Sequence, residues 1–279
     1  MLNILDLFVD VFSYPFMVRA ITVGSLIALC SSLLGVNLVL KRYSMIGDGL
    51  SHVGFGALAI AAVLGIAPLK ISIPVVMLAA FLLLRISESS KIQGDAAIAL
   101  ISAASLAIGI FFVSLTSGMN IDINNYMFGS ILAIKKDEVW MSIGLSLLVV
   151  LLYLLFYDKI FAVTFDESFT RATGAKAGLY NILIALLTAV TVVLGMRLMG
   201  ALLISSLLIF PPLTSMRLFK NYRSVVICSA VLSVTCFFSG IILSYVYATP
   251  TGASVVIINL LMFILFSFLS FVFRKRNTA

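Results

Sequence analysis

Histidine is all but missing from this sequence: its 279 residues include one, His52. An intramembrane metalloenzyme needs at least three protein ligands and usually a general base, so one histidine with no cysteine near it argues against that class. Cysteine is scarce too, and Cys30, Cys228 and Cys236 all fall inside apolar runs, where the residue is a small buried hydrophobe rather than part of a disulfide framework. Charge is thin, with Asp, Glu, Lys and Arg making up 10% of the chain, and no polar stretch is long enough for a second domain. No G-x-x-x-x-G-K-S/T phosphate loop occurs, which excludes ATP hydrolysis by that route without a partner. The N-terminus has Asp6 and Asp10 where a cleaved signal peptide carries positive charge, and reads as an amphipathic lead-in to a first span.

What is abundant is apolar. Hydrophobic residues make up 62% of the chain and the mean hydropathy is +1.22, which predicts an all-α polytopic membrane protein with one transmembrane domain over residues 1–279. Apolar runs lie near 14–40, 50–67, 70–86, 95–118, 138–164, 177–196, 199–216, 223–247 and 252–273. At about 20 residues per span they give about nine helices. The range is about eight to ten, because only Ala67, Pro68 and Leu69 separate the second run from the third. An apolar piece near 124–134 follows the polar stretch 119–125 and is too short to cross. It is expected as a re-entrant or interfacial helix, a candidate gate.

Nine spans with the N-terminus outside and the C-terminus inside put most of the 18 Lys and Arg residues on the cytoplasmic side, from Lys41 and Arg42 to Arg274, Lys275 and Arg276. Only Arg19, Lys70, Lys135, Lys136 and Arg197 fall outside, as the positive-inside rule requires. The net charge of +7 then comes from topology, and no nucleic-acid partner is needed.

One polar cluster interrupts the apolar runs: Gly47-Asp48-Gly49-Leu50-Ser51-His52. On a helix, Asp48 and His52 share a face, and ionisable groups within a membrane persist mainly where they meet a pathway or a partner. A carboxylate and an imidazole suit divalent zinc or manganese, and the lack of a thiolate argues against Cu(I). Two ligands leave the shell incomplete, to be filled by water, carbonyls, distant residues or a symmetry mate. The same spacing also allows Asp48 to be the N-cap of a helix starting at Gly49, with His52 hydrogen-bonded to it and no metal. A further alternative is an ion-coupled secondary transporter with Asp48 and His52 as a proton or cation relay, which calls for internal symmetry that the halves do not show. Gly47, Gly49, Gly54 and Gly56 are read as close-packing positions.

Two more segments stand out. Residues 165–176 begin acidic, end basic and carry Gly174 near the exit, the pattern of a short helix on the cytoplasmic surface or of a solvated loop. The run from Leu198 to Pro212 combines small residues, Ser205, Ser206 and a proline pair, which predicts an internal, interrupted helix facing close neighbours or a polar lumen.

At these segments the sequence resembles the membrane subunits of bacterial zinc/manganese/iron ABC importers, the ABC-3 family. The family's basic pair and G-D-x-x-S-H stretch are matched by Lys41-Arg42 and by Gly47 to His52. Its coupling helix resembles Asp166 to Gly174, its V-G-x-L-L-x-x-x-L-L-I-x-P run resembles Met199 to Pro211, and the turn before its last helix resembles Pro250-Thr251-Gly252-Ala253. Glu167-Ser168 departs from the Pro-Glu of many relatives, and Pro212 stands where alanine is common.

The resemblance implies a transport subunit rather than an enzyme, a homodimeric permease in the bacterial cytoplasmic membrane. It implies cytoplasmic ATP-binding subunits, an extracellular or periplasmic metal-binding receptor and a lipid bilayer as partners. Asp48 and His52 would contact the metal. Asp166, Glu167, Ser168, Phe169, Thr170, Arg171, Ala172, Thr173 and Gly174 would dock the ATPase. No cofactor is permanently bound; the cargo is a divalent metal, with zinc first, manganese second and iron third.

Overall fold

The computed structural model describes residues 13–89, 94–115 and 136–276. Among them the chain is helical, in the order α1 (Pro15–Leu40), α2 (Ile46–Val63), α3 (Pro68–Ser89), α4 (Gly94–Leu115), α5 (Lys136–Leu155), α6 (Tyr157–Phe165), α7 (Glu167–Ala172), α8 (Ala177–Met199), α9 (Ala201–Leu218), α10 (Tyr222–Tyr247) and α11 (Thr251–Arg276). Nine of the described helices, α1 to α5 and α8 to α11, are long and apolar enough to cross a membrane. The short helix expected near 124–134 lies outside the described residues.

α1, α2 and α8 form the interior. α1 packs on α9 and α10, α2 on α3 and α4, α8 on α3, and α9 on α11. Small residues set these approaches. A Cβ on Gly56 of α2 would sit 2.6 Å from the Ser105 carbonyl oxygen, and one on Gly109 of α4 would sit 2.8 Å from the Gly56 Cα, so only glycine lets α2 and α4 come this close. α4 and α11 turn large apolar side chains outward, among them Leu100, Phe111, Leu261 and Phe268, as helices against hydrocarbon do.

Several boundaries differ from the sequence expectation. The run 138–164 is two helices, because the backbone at Phe156 leaves the helical region (φ −102°, ψ 15°) as the polar Tyr157, Asp158 and Lys159 begin. α9 is not interrupted at its proline pair: Pro211 and Pro212 sit inside a helix that runs on to Leu218. The break comes instead at Gly200, whose φ of +90° ends α8 and starts α9 in a conformation that side chains with a Cβ rarely adopt. Pro212 has no N–H to donate back to the Leu208 carbonyl, and that carbonyl lies against Gly35 of α1, where a Cβ would overlap its oxygen.

Candidate metal site

α2 starts four residues earlier than its apolar run. Met45 already has helical angles (φ −79°, ψ −8°), and Gly49 N–H donates to the Met45 carbonyl at 3.0 Å, so the first helical turn closes around Asp48. Asp48 is thus inside the helix and is not its N-cap, which removes the capping reading. Gly47 and Gly49 flank it. A Cβ on the first would overlap the Leu208 side chain of α9, and one on the second would meet Ile98 of α4 at 2.5 Å. Successive helix residues are turned by about 100°, so α9 and α4 pack on either side and leave the Asp48–His52 face between them.

On that face His52 Nε2 and Asp48 Oδ2 lie 3.6 Å apart, with side chains 30% and 43% exposed. The separation is that of a loose i,i+4 ion pair and is longer than a normal hydrogen bond. Two ligands of a tetrahedral zinc, each about 2.0–2.1 Å from the metal, stand about 3.4 Å apart. The observed separation is close to that spacing. Ser205 of α9 completes the polar edge: its Oγ is 3.4 Å from Asp48 Oδ1 and 3.1 Å from the Ala201 carbonyl. Ser51, fully buried, turns inward and donates to the Asp48 carbonyl at 2.7 Å. Among the described residues no third His, Cys, Asp or Glu joins the pair.

The segment 165–176 is built from its own sequence. The Asp166 side chain caps α7 by accepting from Phe169 N–H at 2.8 Å, and Gly174 leaves it at a φ of +82°. α7 is amphipathic: Thr170 is buried, Phe169 is 65% exposed, and Ser168 and Ala172 are exposed. Glu167 faces the bundle. Its Oε2 accepts from Lys41 Nζ at 3.3 Å and from Asn181 Nδ2 at 2.9 Å, while Oε1 accepts from Arg171 at 2.6 Å. Lys41 also donates to Asn181 Oδ1. Partial burial pushes the Glu167 carboxyl up, but the hydrogen bonds from Asn181 and Arg171 and the charge of Lys41 outweigh it and hold the group below its ordinary value.

Residues 13–270 match the ABC 3 transport family. This chain belongs to that family. It is 28% identical, over 97% of its length and 92% of the relative's, to the manganese transport system membrane protein MntC of Halalkalibacterium halodurans. It is 32% identical, over 84% and 90%, to the high-affinity zinc uptake system membrane protein ZnuB of Buchnera aphidicola. The solved structure of PsaBC from Streptococcus pneumoniae in complex with Fab superposes with a TM-score of 0.84 over 95% of both chains at 24% identity, the same fold.

The ABC 3 fold brings Asp48 and His52 together and keeps residues 166–174 as a separate cluster. Sequence reading missed three participants. Ser205 carried a signal, a serine in an internal apolar run, but its neighbour is 157 positions away. Lys41 was visible only as half of a basic pair. Asn37 is a lone amide in a long apolar run, and the structure satisfies all of it. Its Nδ2 donates to the Leu33 carbonyl at 3.0 Å and to Tyr153 Oη at 3.2 Å, and its Oδ1 accepts from Tyr222 at 2.7 Å and from Thr164 at 3.1 Å.

Proposed function

We propose that this chain is the permease subunit of an ATP-driven importer of divalent metal ions, with zinc the first cargo and manganese the second, and that residues 1–279 form one transmembrane permease domain. The observation that carries the reading is the half-exposed Asp48–His52 pair, spaced at 3.6 Å on a membrane-crossing helix of an ABC 3 family member. The named relatives divide between manganese and zinc, and a carboxylate with an imidazole accepts both.

Two ligands from one chain are half of a four-coordinate shell. A second copy related by a two-fold axis supplies the other aspartate and histidine, so the working unit is a homodimer around a shared path. Cytoplasmic ATP-binding subunits dock on Asp166 to Gly174 with Phe169 as the exposed aromatic anchor, and a metal-binding receptor delivers the ion to the outer mouth. The N-terminus faces outward and the C-terminus inward, as the lysine and arginine distribution favours. Incomplete coordination by each chain suits a site that must release its ion.

The test is uptake of labelled zinc and manganese into proteoliposomes holding the permease, its ATPase and its receptor. ATP-dependent uptake in the wild type, lost in Asp48→Asn and His52→Ala complexes that still assemble, is expected. Uptake that proceeds without the ATPase, driven by a proton gradient, would instead establish the secondary-transporter alternative.

A further inference from the structure

α1 and the residue that follows it hold the end of α6 and the start of α7 at two points one turn apart. Asn37 accepts from Thr164, at the end of α6, at 3.1 Å, and Lys41 Nζ lies 3.3 Å from Glu167 Oε2 at the start of α7. The Lys41 side chain is only 12% exposed, and it reaches α8 as well through Asn181. Of the partners of Glu167, Arg171 belongs to the same short helix and can carry nothing between elements. Lys41 and Asn181 can.

The chain leaves little slack after Lys41. Arg42 takes a left-handed conformation at φ +62°, Tyr43 N–H donates back to the Leu38 carbonyl at 2.8 Å, and Ile46 N–H donates to the Tyr43 carbonyl at 3.0 Å. α2 then begins, and Asp48 is its third residue. The strut on α7 and the metal pair are thus joined by one tight, internally hydrogen-bonded turn.

We propose that Lys41 is a positioning residue that transmits movement of the docking helix α7, through its ion pair with Glu167, to the helix carrying Asp48 and His52. The proposal rests on the importer reading and adds to it the path by which ATP-driven motion reaches the site. A displaced Glu167 pulls a charged partner that is fixed at the end of α1, and the short hydrogen-bonded 42–45 turn passes the displacement to α2. The physical requirement is a pair with two linked elements, so its energy must be non-additive between Lys41 and Glu167.

The experiment measures metal imported per ATP hydrolysed in proteoliposomes containing the whole complex, with labelled zinc and then manganese as probes. In Lys41→Met the ratio is expected to fall by about tenfold, while the ATPase subunit stays bound and hydrolysis continues. Lys41→Arg restores the ratio, and the exchanged pair Lys41→Glu with Glu167→Lys recovers coupling that Lys41→Glu alone loses. A wild-type ratio in Lys41→Met overturns the proposal, as does a loss of uptake that only parallels lost ATPase binding, since that would make Lys41 a structural support. If Lys41→Met fails to assemble, the exchanged pair decides: no recovery over Lys41→Glu overturns the strut. A wild-type complex that hydrolyses no ATP and imports no metal overturns the importer reading itself, a result distinct from any of these.

Discussion

Ser205 on α9 holds its hydroxyl 3.4 Å from the Asp48 carboxylate on α2. In the proposed metal site it orients one of the two metal-contacting groups and brings a second helix to them. Its removal is expected to weaken metal affinity without abolishing transport, since loss of a residue that orients a ligand costs about tenfold or somewhat more. Ser205→Ala should raise the metal concentration for half-maximal uptake by that factor and leave the maximal rate near wild type. An unchanged half-saturation point would remove Ser205 from the site.

α1 meets α9 backbone to backbone at Gly35, where an added methyl would overlap the Leu208 carbonyl oxygen. Backbone cannot yield as a flexible side chain does. Gly35→Ala should therefore destabilise the bundle by about 1–3 kcal/mol, read as a lower melting temperature in detergent. Equal melting temperatures would show that α1 and α9 are not held this tightly.

Arg197, at the end of α8, places Nη2 3.4 Å from Glu138 Oε1 at the start of α5, with both side chains largely buried at 22% and 15% exposure. Breaking such a pair from one side leaves a charge uncompensated, at a cost of about 3 kcal/mol or more. Glu138→Ala should lower thermal stability strongly, and Glu138→Gln combined with Arg197→Met should recover much of it. A single variant as stable as wild type would count against the buried pair.

α7 has a sharp inside and outside. Ser168 is exposed and Thr170 is 4% exposed. A cysteine at 168 should crosslink to the ATP-binding subunit in the assembled complex and one at 170 should not. Phe169→Ala should weaken that association by about tenfold or more, measured by co-purification at graded salt. Crosslinking at 170 with none at 168 would reverse the docking face.

The Glu167 carboxyl is held below its ordinary value of 4.5. A depressed native value means that the group's stabilising contribution is complete above the unfolded-state value and is lost as pH falls through the native one. Anchoring of α7 on Lys41 and Asn181 should therefore persist down to about pH 4.5 and loosen below it. Amide exchange across residues 164–176 at several pH values tests this, with Glu167→Gln as the comparison lacking that acid-side transition. Matching pH profiles in the two proteins would dissociate Glu167 from the anchor.

How much of this was legible in the sequence varies with the range of the interaction. Apolar run length is a local property, and it located the nine spans found among the described residues because a helix must satisfy its own backbone across hydrocarbon. The Asp48–His52 spacing was local as well, since four residues are one helical turn, whereas the charge pattern of 165–176 fitted either a short helix or a solvated loop until the structure showed Asp166 capping α7. Run length could not see the break at Phe156 or the continuity through Pro211 and Pro212, because hydropathy does not report backbone angles. It also could not place α2's start at Ile46, which put Asp48 inside the helix and decided against the N-cap.

Everything that joins distant segments was decided by tertiary packing. Ser205 meets Asp48, Lys41 meets Glu167 and Asn37 gathers Tyr153, Thr164 and Tyr222 only because glycines let α2 settle between α4 and α9 and let α1 close on α9. Residue order alone dictated which helices form and which residues carry charge into them, because those depend on neighbours within a turn or two. Which groups meet across helices, as Lys41 meets Glu167 and Asp48 meets Ser205, and therefore what they can hold or transmit, depends on contacts between residues more than a hundred positions apart.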